Sequence, residues 1–203
     1  SEITFDEDDV DADDLIQEEE MVVTLTQEGY IKRISSDNYR AQRRGGRGIA
    51  GLSTKEEDFA SEIFVTSTHS HLLFFTTRGK VYVKRCYQVP ESGRLSKGLA
   101  IVNLLNLEPE ETISAVFPVM KDQIMDDDHL LMVTRKGVVK KTDLSAFSNI
   151  RQNGLIAITI REGDELMSVI RTRGEDRILI GTGDGMSITF DERDVRPMGR
   201  VAA

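Results

Sequence analysis

A chain of 203 residues with 39% hydrophobic and 30% charged side chains carries enough apolar material for one well-buried domain or two small ones. No apolar run approaches the roughly 20 residues of a membrane span, the acidic start lacks the pattern of a secretory leader, and the lone Cys86 excludes an internal disulfide framework. A reducing, cytoplasmic setting is expected. The net charge of −9 is unevenly placed: residues 1–20 hold eleven acids and no Lys or Arg, leaving 24 acids against 26 bases in residues 21–203. Residues 1–20 read as an acidic linker or tail ahead of a folded region over 21–203. That tail is either a solvated spacer or a competitor for an anionic ligand.

From Met21 the pattern turns to strands. Met21-Val-Val-Thr-Leu-Thr26, a turn at Gln27-Glu-Gly29 and Tyr30-Ile-Lys-Arg-Ile34 predict a β-hairpin. Residues 35–41 form a short polar link, and Ser53–Ala60 holds one helical turn at most; no longer helix is expected. The hairpin then recurs around Arg78-Gly79, Arg135-Lys-Gly137 and Gly183-Asp-Gly185, the turn glycines spaced by 50, 58 and 48 residues. Recurrence at that period marks a repeat architecture. Glycine-led apolar runs follow, at Gly48–Leu52, Gly98–Leu105 and Gly154–Ile160, and one more strand precedes each next hairpin, at Ala60–Thr66, Ile113–Val119 and Leu166–Arg171. The expectation is an all-β chain of propeller-like, four-stranded blades. The units fall roughly at 21–59, 60–112, 113–165 and 166–203, the last incomplete, with Lys121–Asp128 a surface insertion.

Signals for catalysis are thin. His69 and His71 alternate at a strand entry, His129 follows three aspartates, Cys86 lacks a partner base, and Gly181–Gly185 lacks the Lys-Ser/Thr of a nucleotide loop. Cations, in contrast, recur in place. Lys32 and Arg33 lie three and four residues past Gly29, as do Lys140 and Lys141 past Gly137; Arg78, Lys80, Lys84 and Arg85 flank the second turn. They read either as solvated strand edges that block aggregation or as a track for a phosphate backbone. The heptad Gln42-Arg43-Arg44-Gly45-Gly46-Arg47-Gly48, with Arg40 just before it, adds forked donors on a backbone that approaches a partner closely. Few aromatics and no Trp favour double-stranded DNA over a stacked single strand.

The first hairpin, the heptad, Gly137-Val-Val-Lys-Lys-Thr142 and Asp194-Val-Arg-Pro-Met-Gly-Arg200 together resemble the C-terminal domain of bacterial DNA gyrase A, a part of a type IIA topoisomerase. The acidic lead-in, Asp13-Asp-Leu-Ile16 and Glu18-Glu-Glu-Met21, resembles the linker before that domain. The resemblance implies a β-pinwheel, blades that exchange strands with their neighbours, here a partial set of about four. It implies sequence-nonspecific binding and chiral wrapping of double-stranded DNA on a basic outer rim, in support of ATP-dependent negative supercoiling. The heptad Gln42–Gly48 becomes the wrapping box, and Lys32, Arg33, Arg40, Arg78, Lys80, Lys84, Arg85, Lys97, Lys140 and Lys141 become phosphate contacts. The implied partners are DNA, the N-terminal part of gyrase A, and gyrase B, within a cytoplasmic, chromosome-associated enzyme. No cofactor is expected in this chain, since ATP and Mg belong to other parts of such an enzyme. Two other readings stand beside this one: the related topoisomerase IV domain, in which the heptad is degraded, and a propeller for protein–protein recognition whose basic rim is incidental.

Overall fold

The computed structural model describes residues 13, 15–44, 60–124, 126–181 and 187–200. Four sheets are present among them. The first hairpin pairs β1 (Glu20–Thr26) with β2 (Tyr30–Ser35), Leu25 opposite Ile31 and Met21 opposite Ser35. Gly29 adopts φ +88° and its amide donates to the Thr26 carbonyl at 3.0 Å, closing a turn that a side chain would strain. β3 (Ala60–Ser67) lies along β1, and the two-residue β6 (Leu99–Ala100) along β2, so the sheet order is β3-β1-β2-β6. β6 comes from beyond the second hairpin. The second sheet repeats the plan with β4 (His71–Thr76), β5 (Lys80–Arg85), β7 (Ile113–Val119) and β10 (Leu155–Ile156), in the order β10-β5-β4-β7. The third joins β8 (His129–Thr134), β9 (Val139–Asp143) and β11 (Leu166–Thr172). The fourth pairs β12 (Arg177–Gly181) with β13 (Ser187–Asp191).

Each exchanged strand is led by a glycine pressed on its acceptor. Gly98 has φ +90°, and a Cβ there would stand 2.3 Å from the Ile31 carbonyl oxygen. Gly154 has φ +80° and lies against the Tyr82 ring and the Val81 carbonyl. The residue three positions further on then donates to the acceptor's turn glycine: Ile101 N to Gly29 O at 2.7 Å, and Ala157 N to Gly79 O at 2.8 Å.

The chain divides into two units, residues 1–72 with 84–107, and residues 73–83 with 108–203. In the first, Met21, Val23, Ile31, Cys86, Val89 and Ile101 are buried. In the second, Leu73, Phe75, Val81, Leu130, Met132, Phe147, Ile158 and Leu166 share one core, where Phe75 meets Phe117 and Phe147 edge-on at ring separations of 6.1 and 5.7 Å. Such edge contacts each add about 0.5–1.5 kcal/mol to the area they bury.

The expectation of no helix beyond a single turn is corrected: Ser36–Arg44 is a nine-residue helix. Ser35 accepts the Asn38 amide on its hydroxyl at 3.3 Å, and Asp37 complements the first turn. In the later repeats the equivalent stretch is a short 3-10 turn, at Cys86–Gln88, Leu144–Phe147 and Glu192–Asp194. Gly98–Leu105 is likewise no continuous strand, since after β6 it coils into one turn over Ile101–Leu104. Among the described residues no helix is long and apolar enough to cross a membrane. The fourth hairpin's turn glycines, the run Gly48–Leu52 and the turn expected from Ser53 lie outside the described residues.

Candidate nucleic-acid interface

The recurring cations three and four places past the turn glycine turn toward protein. Lys32 Nζ donates to the Arg94 and Ser96 carbonyls at 3.1 and 2.9 Å. Arg33 Nε donates to the Val89 carbonyl at 2.6 Å, and its guanidinium lies 3.8 Å from Glu91. Between them they grip the segment crossing from the second hairpin, whose Glu91 bridges Arg33 in parallel register. The third hairpin repeats this grip on the fourth. Lys140 Nζ donates to the Arg200 carbonyl at 2.6 Å, Lys141 Nζ reaches the Glu192 carboxylate at 3.2 Å, and Pro197 bridges Lys141 in parallel. Lys140 and Lys141 are only 4% and 3% exposed. Burial, then the nearby Arg200 charge, hold the Lys140 ammonium below its ordinary pKa.

The second hairpin breaks the series. Three places past Gly79 stands Tyr82, buried beneath Gly154, and four places past it stands Val83. Lys84 and Arg85 occupy the next two positions. Lys84 is half-buried. Arg85 is 7% exposed, lies over the Tyr87 ring at 5.3 Å, and donates to the His69 carbonyl at 2.8 Å and to Asp13 at 2.7 Å.

Other cations face outward. Arg40, on the helix, has a side chain 66% exposed and lies 3.6 Å from Glu20. Arg78 lies 3.7 Å and Lys80 3.9 Å from Glu108. Exposed pairs this long are worth about 0–1 kcal/mol, so an incoming phosphate displaces them at little cost. Lys97 is exposed, with Nζ 5.5 Å above the Tyr30 ring. Of the heptad, Gln42, Arg43 and Arg44 end the helix; Gly45, Gly46, Arg47 and Gly48 lie outside the described residues.

Two arginines outside the expected set of phosphate contacts stand at matching places. Arg44-Gly-Gly-Arg-Gly-Ile-Ala50 aligns without a gap on Arg94-Leu-Ser-Lys-Gly-Leu-Ala100, pairing Arg44 with Arg94, Arg47 with Lys97 and Gly48 with Gly98. This alignment was the available signal. Arg200, after Gly199, stands in the place of Arg94 after Gly93, and the backbone of each is gripped by the lysine of an earlier hairpin.

Two of the histidines are engaged within the protein. His69 Nε2 lies 2.6 Å from the Ile16 carbonyl, and His129 Nε2 2.7 Å from Asp143. Burial pushes the Cys86 thiol up to about 11, far from a reactive thiolate. Among the described residues no group of three or more His, Cys, Asp or Glu is arranged to hold a metal ion.

Repeated hairpins, strands traded between repeats, and lysines gripping the segments that cross to the first and third hairpins define a repeat-built β-propeller class of module. The family profile described as "DNA gyrase C-terminal domain, beta-propeller" matches residues 20–67, 70–120, 128–173 and 176–203, and the chain belongs to that family. It is 52% identical over 196 residues to the DNA gyrase A of Clostridium acetobutylicum, covering 97% of this chain and 23% of that protein. It is 48% identical over 200 residues to the DNA gyrase A of Halalkalibacterium halodurans, covering 98% and 24%. The chain thus spans about a quarter of the length of these curated relatives. A crystal structure of the C-terminal domain of DNA topoisomerase IV is similar at TM-score 0.73 and 26% identity, over 91% of this chain and 55% of that one. A DNA gyrase A C-terminal domain is similar in fold at TM-score 0.61 and 20% identity, over 90% and 58%.

Proposed function

We propose that this chain binds double-stranded DNA without sequence preference and wraps it chirally on a basic rim, serving negative supercoiling by an ATP-dependent gyrase. Its partners in that enzyme are the rest of gyrase A, and gyrase B, in the bacterial cytoplasm and on the chromosome. The observation that carries this reading is the doubled Arg-x-x-Lys/Arg-Gly motif at Arg44–Gly48 and Arg94–Gly98, whose second copy leaves Lys97 exposed and Arg94 half-exposed. Arg40, Arg78, Lys80, Lys84, Arg94 and Lys97 supply phosphate contacts, while Lys32, Arg33, Lys140 and Lys141 act one step back, holding the loops that present them. Arg85 acts only once its own carboxylate partner has left.

Contacts of this kind release counterions, so log K falls by roughly 0.9 for each phosphate neutralised per decade of salt. The six contacts named above give a slope of roughly −5, with equal affinity for unrelated duplexes. A salt-insensitive affinity points instead to a protein partner. Smoothly bending a site of roughly 20–30 base pairs costs of order 1–6 kcal/mol, which calls for the heptad in addition to scattered cations. Replacing Arg43, Arg44 and Arg47 together by Ala is expected to abolish bending, read by energy transfer between duplex ends, while circular dichroism stays unchanged. Undiminished bending counts against the heptad as the wrapping element. The likeness to a topoisomerase IV domain keeps a second reading alive. Relaxing closed circular DNA in the presence of the protein separates the two: retained positive writhe fits the gyrase type, and its absence the other.

A further inference from the structure

Resting on the reading of DNA binding above, we propose that Asp13 and residues 15–20 form an acidic strap that fills an anion site at Arg85 in the free chain, and that a DNA phosphate displaces it. All the residues concerned belong to the first unit. The site is framed by residues outside the strap. One Arg85 nitrogen is turned by the His69 carbonyl at 2.8 Å, and the guanidinium plane is held over the Tyr87 ring at 5.3 Å. The same Arg85 nitrogen, Nη2, also donates to the Asp13 carboxylate at 2.7 Å. A phosphate oxygen accepts from a guanidinium as a carboxylate oxygen does. The corresponding positions of the other three hairpins, six past the turn glycine, are Ser35, Asp143 and Asp191, so the site occurs in one repeat alone.

The strap is attached by contacts that water replaces readily. The Ile16 carbonyl meets His69 Nε2 at 2.6 Å, the Gln17 carbonyl accepts the Thr68 hydroxyl at 2.9 Å, and Thr68 N donates to the Glu19 carbonyl at 2.9 Å. The Glu18 carboxylate accepts the Ser67 hydroxyl at 3.1 Å. No deep apolar anchor supplements them: Leu15 is 86% exposed and Ile16 is half-buried. Tethering nevertheless gives Asp13 an effective concentration near the millimolar range. Weak attachment at high local concentration is what a displaceable competitor requires.

Asp13→Asn is expected to raise affinity for a 40-base-pair duplex at low salt about three- to tenfold, and to steepen the salt slope by about 0.9, the signature of one added phosphate contact. Arg85→Gln is expected to cancel that gain, so that Asp13→Asn adds nothing in its background; Arg85→Lys, which keeps the charge, tests whether a loss of fold explains the result. Hydrogen exchange of the wild-type peptides over 15–22 and 66–72 is expected to speed up on adding the duplex. An unchanged affinity for Asp13→Asn in a protein that does bind DNA overturns the proposal. So does an equal gain in the Arg85→Gln background, which assigns the effect to general charge. Failure of every variant to bind DNA overturns the functional reading itself and the strap with it.

Discussion

Replacing Lys141 by methionine is expected to destabilise the second unit by about 3–5 kcal/mol, the usual result of removing one partner from a buried ion pair. Glu192 has no exposed surface. Its carboxylate takes the Thr172 hydroxyl at 2.6 Å, the Asp176 amide at 2.7 Å and Lys141 Nζ at 3.2 Å. Burial pushes this carboxyl up, but those three donors outweigh it and hold the group below its ordinary 4.5. A depressed acid stabilises the fold above its unfolded pKa, and that contribution is lost as pH falls below 4.5 through the folded value. Without the ammonium, part of what lowers the carboxyl is lost and it rises toward its ordinary value. The gap between wild type and variant in urea denaturation is therefore widest near neutrality and closes in acid. The double variant with Glu192→Gln recovers most of the loss, since the amide still bonds Thr172 and Asp176 without a buried charge. Equal stabilities at pH 7 would remove Lys141 as the support of Glu192.

The second large effect lies at the strand exchanges. Gly98→Ala and Gly79→Ala place a Cβ 2.3 Å from a carbonyl oxygen, that of Ile31 and of Ile158, at φ of +90° and +78°. Gly137→Ala imposes the same left-handed backbone, at φ +88°, with nothing within 4 Å. The last is expected to cost about 1–2 kcal/mol from the backbone alone. The first two are expected to cost about 2–5 kcal/mol, because the neighbouring main chain must also move. Gly98→Ala, moreover, is expected to strip amide protection from Ile31 and Leu99, whose strands it separates. If all three variants unfold at the same urea concentration, the close approach contributes nothing and only the turn geometry matters.

The hairpins were legible because alternating apolar residues and a turn glycine are local signals, and β1–β2, β4–β5 and β8–β9 fall where Gly29, Gly79 and Gly137 place them. The path of the short strands was not. Leu99–Ala100 is two residues long, too short for any periodicity, and its acceptor lies far back in the chain. Helix Ser36–Arg44 was hidden by its composition, with only Tyr39 and Ala41 to mark an apolar face, although Ser35 and Asp37 were cap signals in plain view. The candidate interface was half legible. Recurrence singled out Lys32, Arg33, Lys140 and Lys141, but the direction in which a lysine head points depends on which carbonyls the exchange brings to it. Lysines are so seldom buried that no local pattern announces one that is.

Because Tyr30 pairs with Ala100, the first sheet stays open-edged during synthesis until about 70 further residues have left the ribosome. At about 5–20 residues per second that delay is roughly 4–14 s, during which β2 offers unpaired amides and carbonyls to any neighbouring nascent strand. The arginine that sits four places past the first turn glycine faces a shorter wait for Val89 and Glu91, 56 and 58 residues further on. A charged side chain on an unfinished edge discourages pairing with the wrong partner, so the residue that later clamps the exchange also guards the strand until its own segment arrives.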